Sequence, residues 1–400
     1  MTMTPVFCAV CSSWRSLALA TPRLWNGIFV HVPRRINKAQ LKRKVADLVQ
    51  WISRSRSLPL TLHLSGDIAN PPNGEGPKAP IISVIKDHAA RWESLYFRVF
   101  QPSSSLLHLD GWHSLRRLYY PCFDPVSCTN EIVPWAHLTH LQIWKYIPCQ
   151  DAVTIFMKCP KLVYLSILVV STTIGQTTVP IILQDLVTFY IKTYWVAGLQ
   201  TLLHQLSLPS LREISIYEIS SGDIEPLVTL FTRSSCTLDR LEICGDLESR
   251  DYLDVLAHSS CNSLTSLSIR PSSLSCAPVD EEVLQRLTLH RNDTMCSHLS
   301  FLTIDYCIPT SLLSALLNMA ESRIKCAAGQ VPEEPALRYL RLHLKYLKKN
   351  AAELDKVGRR SRMEYSREKF VSGDGDGCFS VWFQRQGFGA LPNFDKLFWA

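Results

Sequence analysis

Thiols and imidazoles are the first places to look for chemistry in this chain, which carries fourteen Cys and twelve His in 400 residues. Cys8-x-x-Cys11 has the spacing of half a structural zinc site, but a four-thiolate site needs a second pair at matching spacing and none follows. Both thiols share a helical stretch with Trp14, so they are expected to be buried core groups. His137 and His140 have no Cys or acidic neighbour to complete a ligand set and read as a solvated pair. The run Gly-Asp-Gly-Asp-Gly at 373–377 has the look of a calcium loop. Counting from Asp374, however, the twelfth position is Arg385, where a bidentate Glu is required. It reads as a turn. Asn292-Asp-Thr294 is a glycosylation sequon that matters only in a secreted chain. No phosphate loop, nucleophile elbow or His-Glu-x-x-His pair occurs. The expectation is a protein without catalysis, cofactor or metal.

What remains is recognition, and that depends on how the backbone aims its aromatic and charged side chains. A template Leu-x-x-Leu-x-Leu, with other apolar residues allowed at the second and third anchors, runs through the chain. The first anchors are Trp92, Leu115, Leu138, Leu162, Leu186, Leu211, Leu238 and Leu264, with steps of 23, 23, 24, 24, 25, 27 and 26 residues. Leu284, Leu299 and Leu337 continue the series at broken intervals. Anchors two residues apart point to one side of a strand. Between them, "DIEPLVTLFTRSS" and "RDYLDVLAHSS" space apolar residues at three and four, as helices do. Asp223 and Asp251 sit where a first helical turn wants an acceptor. No such unit buries its apolar side alone, so neighbours must stack. Strands are expected around Leu118, Leu141, Leu165, Phe189, Ile214, Leu241, Leu267, Leu287, Leu302 and Leu340.

This repeat resembles the leucine-rich-repeat family over about 58–346. The resemblance implies an α/β solenoid with a parallel concave sheet. It departs from the family where Asn or Cys often follows the third anchor by three residues: only Asn292 and Cys307 fit, so an irregular solenoid is expected. In such a repeat the residues flanking the middle anchor, and the one after the third, face the concave side. They are Arg117 and Tyr119; His140, Gln142 and Trp144; Tyr164; Tyr190 and Lys192; Glu213 and Tyr217; and Arg240 and Glu242. Tyr, Trp and Arg anchor protein interfaces more often than other residues do. Aromatics on adjacent strands also cover one another, so part of this row is structural.

The opening stretch is of another kind. "VFCAVCSSWRSLALATPRLWNGIFV" reads as helix, stop and short helix. Val6, Val10, Trp14 and Leu17 form a stripe, and Thr21-Pro22 starts a new turn before Leu24, Trp25 and Ile28. Val10-Cys11, Trp14-Arg15, Leu17-Ala18 and Thr21-Pro22-Arg23-Leu24-Trp25 resemble the C-terminal half of an F-box. An F-box followed by leucine-rich repeats looks most like the large F-box families of mushroom-forming fungi. The resemblance implies a substrate-recognition subunit of a cullin–RING (SCF-type) ubiquitin ligase. The F-box core, Val10, Cys11, Trp14, Leu17, Pro22, Leu24 and Trp25, would dock to the adaptor, and the repeats would hold a target protein. The Leu-Pro-containing helix pair that begins an F-box is missing here, so adaptor binding is expected to be weak or lost. The alternative is a repeat scaffold that binds proteins only. Trp14 is expected on the inner side of its helix, and Trp25 at the base against the first repeat.

Composition bounds the rest. Apolar residues make up 46% and charged residues 19% of the chain, as in ordered proteins. No apolar run reaches the length of a membrane span. The start lacks a secretory signature, so a cytoplasmic or nuclear location with reduced thiols is expected. Of the net charge of +7, a surplus of six lies between Arg341 and Lys369, where ten Lys/Arg face four Asp/Glu. That segment reads as a solvated basic helix. Nucleic acid is not indicated, because a binding groove would need interleaved aromatics. The chain is therefore divided into a partial F-box segment (1–32), a repeat domain (33–346) and a basic helix with an irregular tail (347–400).

Overall fold

The structure, a computed structural model, describes residues 8–66, 79–99, 111–120, 133–170, 180–194, 197–272, 279–289, 295–308, 310–329, 339–345, 363–371 and 377–385. The chain divides into two compact units: residues 1–198 with 205–207, and residues 199–204 with 208–400. That division falls at neither 32 nor 346. Both units are α/β, each built on a mostly parallel sheet.

In the first unit the sheet runs β1 (Gly27–Val32), β2 (Leu60–Gly66), β3 (Trp92–Val99), β4 (Arg117–Tyr120), β5 (His140–Pro148), β6 (Tyr164–Val170) and β8 (Thr188–Tyr194), all parallel. The two-residue strand β7 (Ile181–Ile182) pairs separately with β9 (Leu206–Ser207). In the second unit β10 (Glu213–Ser220), β11 (Arg240–Asp246), β12 (Ser266–Arg270), β13 (Phe301–Ile308) and β14 (Tyr339–Lys345) are parallel. An antiparallel pair, β16 (Gly377–Arg385) and β15 (Met363–Val371), continues that sheet beyond β14. Parallel strands need a crossover, and helices supply it. The helices Cys149–Lys158, Ile224–Ser234 and Ser249–Leu256 follow β5, β10 and β11. Asp223 Oδ2 accepts from the Ser220 amide at 3.0 Å, and Asp251 Oδ2 from the Glu248 amide at 2.9 Å, so both serve as the expected first-turn acceptors.

The repeat is visible in the hydrogen bonds. The first anchor's amide donates to the carbonyl three residues back: Leu115 to Trp112, Leu138 to Trp135, Leu162 to Cys159, Leu264 to Cys261 and Leu299 to Cys296. The next two amides then share one carbonyl of the preceding unit. Thr139 and His140 share Arg116 O, Val163 and Tyr164 share Thr139 O, and Ser300 and Phe301 share Thr265 O. The residue three before the anchor is buried in all five cases. The cysteines thus stand before the strand rather than after it, and burial raises the thiol pKa of Cys159, Cys261 and Cys296, the last to about 11. The anchors themselves close the core beneath the sheet: Leu118, Leu141, Leu165, Ile214, Leu241 and Leu267 are all buried. At the strand ends Gly66 and Gly245 are required, because a Cβ at either would lie 2.0 Å from the carbonyl oxygen of Val32 or Ile219 on the adjoining strand.

Nine of the ten expected centres lie in strands. Leu287 does not: it ends the helix Glu281–Leu287. Asp280 accepts from the Val283 amide at 2.9 Å, and Glu281 and Glu282 favour the positive helix start. The buried Arg323 guanidinium donates to Leu287 O, Met295 O and Cys296 O, which fixes the helix end. Two other expectations fail. Gly27–Val32 is the strand β1, so the helical reading of the opening stretch ends at Trp25. The basic segment is strand at 339–345 and 363–371; its middle, like the sequon and most of the Gly-Asp run, lies outside the described residues.

Candidate interaction surfaces

The helix Ser12–Ala20 begins with Cys11, whose Sγ accepts the Trp14 amide at 3.5 Å. Arg15 Nε donates to Cys8 O at 2.8 Å. Cys11 is exposed and Cys8 half-buried, which corrects the expectation of two core thiols. Cys149, Cys159, Cys236, Cys261 and Cys296 are buried, and Cys244 is half-buried. Trp14 is also corrected: it is 51% exposed and does not face inward. Val10 and Leu17 are exposed too, at 59% and 69%. Residues at i and i+3 share one helix face, so Trp14 and Leu17 make an outward apolar pair on the helix, while Val10 precedes the extended Cys11 cap. Ala18, one turn after Trp14, is buried. The 3-10 turn Pro22–Trp25 holds Pro22 and Leu24 half-buried and Trp25 2% exposed. Trp25 Nε1 donates to Ala18 O at 2.7 Å, its ring meets Trp51 edge-on at 4.9 Å, and the Arg54 guanidinium lies 4.4 Å over it. Trp25 is thus buried between the helix Ser12–Ala20 and the helix Lys38–Arg54.

On the first unit's sheet, the face opposite the anchors carries a row in register: Phe29, His63, Tyr96, Tyr119, Gln142, Ser166 and Tyr190. Its first four rings stack at centroid distances of 4.2, 4.3 and 4.1 Å with interplanar angles of at most 13°. The adjacent row brings Arg117, His140 and Tyr164 together, with the two rings 5.9 Å apart. His140 is half-buried, its Nδ1 3.0 Å from Thr139 Oγ1, and so is not paired in solvent with the exposed His137. Trp144 falls in a bulge between Ile143 and Tyr146 and is 46% exposed. Lys192 is half-buried on β8. None of the register-paired residues on this face is acidic. Burial and then the Arg98 charge lower the His63 pKa; burial and then Arg117 lower that of His140.

The second unit's equivalent face is arranged differently. Glu242 is 1% exposed. It accepts from Tyr217 Oη at 2.6 Å and Ser215 Oγ at 3.2 Å, and lies 3.4 Å from Arg240 Nη2 and 3.5 Å from Arg270 Nε. Arg270 also reaches Asp305 at 3.3 Å, and Glu213 stands opposite Arg240 in register. The positions expected to bind, Glu213, Tyr217, Arg240 and Glu242, are thus brought together, but they satisfy one another. No group of three His, Cys, Asp or Glu among the described residues is placed to hold a metal, and no described helix is long and apolar enough to cross a membrane. Comparison of the chain with protein-family models, with curated proteins and with solved structures finds no match.

Proposed function

We propose that the chain is an F-box-like, leucine-rich-repeat substrate receptor of a cullin–RING ubiquitin ligase. In this reading the strand–turn–helix units form an irregular solenoid, the helix Ser12–Ala20 docks to the ligase adaptor, and the open sheet face holds a target protein. The observation that carries it is the outward pair of Trp14 and Leu17, each more than half exposed on the helix Ser12–Ala20, with Val10 exposed just before its cap and Trp25 buried below it. Exposed apolar side chains gathered on one helix face are the kind of surface that partner proteins cover. No step of bond chemistry is assigned to the chain; it brings two proteins together in the cytoplasm or nucleus.

Calorimetric titration with purified adaptor tests this. The chain as given is expected to bind weakly. A form carrying a complete Leu-Pro-containing helix pair upstream of Val10 should bind at least tenfold tighter, about 1.4 kcal/mol. The double substitution Trp14→Ala/Leu17→Ala should remove that gain. If the extended form does not bind, the ligase reading falls and the protein-binding scaffold remains.

A further inference from the structure

The stacked rings of Phe29, His63, Tyr96 and Tyr119 use their faces on one another. What they turn outward is their edges, and the edge of an aromatic ring is the positive part of its quadrupole. The guanidinium groups of Arg98 on β3 and Arg117 on β4 are exposed on this face and make no ion pair or hydrogen bond among the described residues. The paired positions contain no carboxylate to neutralise them. On the second unit, by contrast, Arg240 and Arg270 both reach Glu242. Ring edges and guanidinium groups with no acidic partner among the described residues favour one ligand chemistry, negatively charged oxygen in an extended chain.

We propose that the open face of β1 to β5 holds a carboxylate-rich, extended segment of a partner protein, with its acidic side chains meeting Arg98 and Arg117. A single-stranded nucleic acid fits less well. Its affinity comes largely from bases stacking on ring faces, and here His63 and Tyr96 have both faces, and Phe29 and Tyr119 one face each, covered within the row. The proposal rests on the reading of this sheet as the target-holding surface, but not on adaptor binding.

The probe is a labelled twelve-residue peptide of alternating Glu and Ser, titrated by fluorescence anisotropy at low salt. Its Gln/Ser analogue and a twelve-nucleotide oligo(U) serve as comparisons. The Glu/Ser peptide should bind, and Arg98→Glu and Arg117→Glu should each weaken it at least tenfold. Lys42→Glu, the same charge change on the exposed side of the helix Lys38–Arg54, should leave it unchanged. Circular dichroism and the urea midpoint establish that each variant is folded. The proposal is overturned if the Gln analogue binds equally, if Lys42→Glu weakens binding as much as Arg117→Glu, or if oligo(U) binds more tightly with the same arginine dependence. Repeating the adaptor titration with Arg117→Glu keeps the two readings apart: lost peptide binding with unchanged adaptor binding confines the effect to this face.

Discussion

The parallel strands of the two units follow the same spacing of apolar anchors, yet their open faces are furnished in opposite ways. In the second unit a buried carboxylate, Glu242, gathers a tyrosine, a serine and two arginines within 3.5 Å. In the first unit four rings stack, two arginines point outward, and the paired positions hold no acid. Similar residue types thus serve stability where they satisfy one another and recognition where they do not. The N-terminal turn repeats the lesson on a smaller scale. Trp25 is bonded, stacked and buried, while Trp14, eleven residues earlier, faces outward.

That contrast can be broken by substitution. The largest effect is expected at Trp25. Trp25→Ala should destabilise by about 3–5 kcal/mol, whereas Trp14→Ala should stay within about 0.5 kcal/mol, as read from urea midpoints. Next comes Glu242→Ala, which strips the shared acceptor from Arg240 and Arg270. Both guanidinium groups are partly solvated, at 20% and 25% exposure, so the loss should be roughly 3 kcal/mol. Arg117→Ala on the other face should change the midpoint by about 0.5 kcal/mol or less. Equal losses at Glu242 and Arg117 would erase the distinction between the faces.

A smaller effect follows from pH. His63 and His140 have folded-state pKa values below their ordinary 6.5, from burial first and from Arg98 and Arg117 second. The folded chain therefore resists protonation that the unfolded chain accepts. Their contribution to stability is complete above about pH 6.5 and declines as pH falls below it. The urea midpoint should drop between pH 7 and pH 5, and it should drop less in the double substitution His63→Gln/His140→Gln. Identical pH dependence in both proteins would show that the positive field on this face is not felt.

The strands were legible because their anchors keep a period of two over seven nearly even steps. Leu284-x-x-Leu287 misled because that spacing suits a helix as well as a strand. The decisive signals were Asp280 before it and Arg323 thirty-six residues after it. One usable signal was overlooked: the apolar residue three before five of the anchors, Trp112, Trp135, Cys159, Cys261 or Cys296, closes the turn into the strand. Trp14 was placed inward because an apolar stripe at helical spacing usually faces a core. Here the core side is occupied by Ala18 and Trp25 instead. In the basic segment, net charge masked the short strands at 339–345 and 363–371. Apart from Arg240, two residues away, the Glu242 cluster could not be read locally, since its other partners lie 25 to 28 residues away and meet it only once the parallel register is fixed.

Backbone hydrogen exchange with and without the saturating Glu/Ser peptide tests the contrast most directly. Added protection is predicted in β2 to β4, above all at 94–98 and 117–119, with no change at 213–217, 240–244 and 266–270. Protection that appears on the second unit's face, or is absent from the first, would contradict the assignment of recognition to the face whose charges are left unanswered.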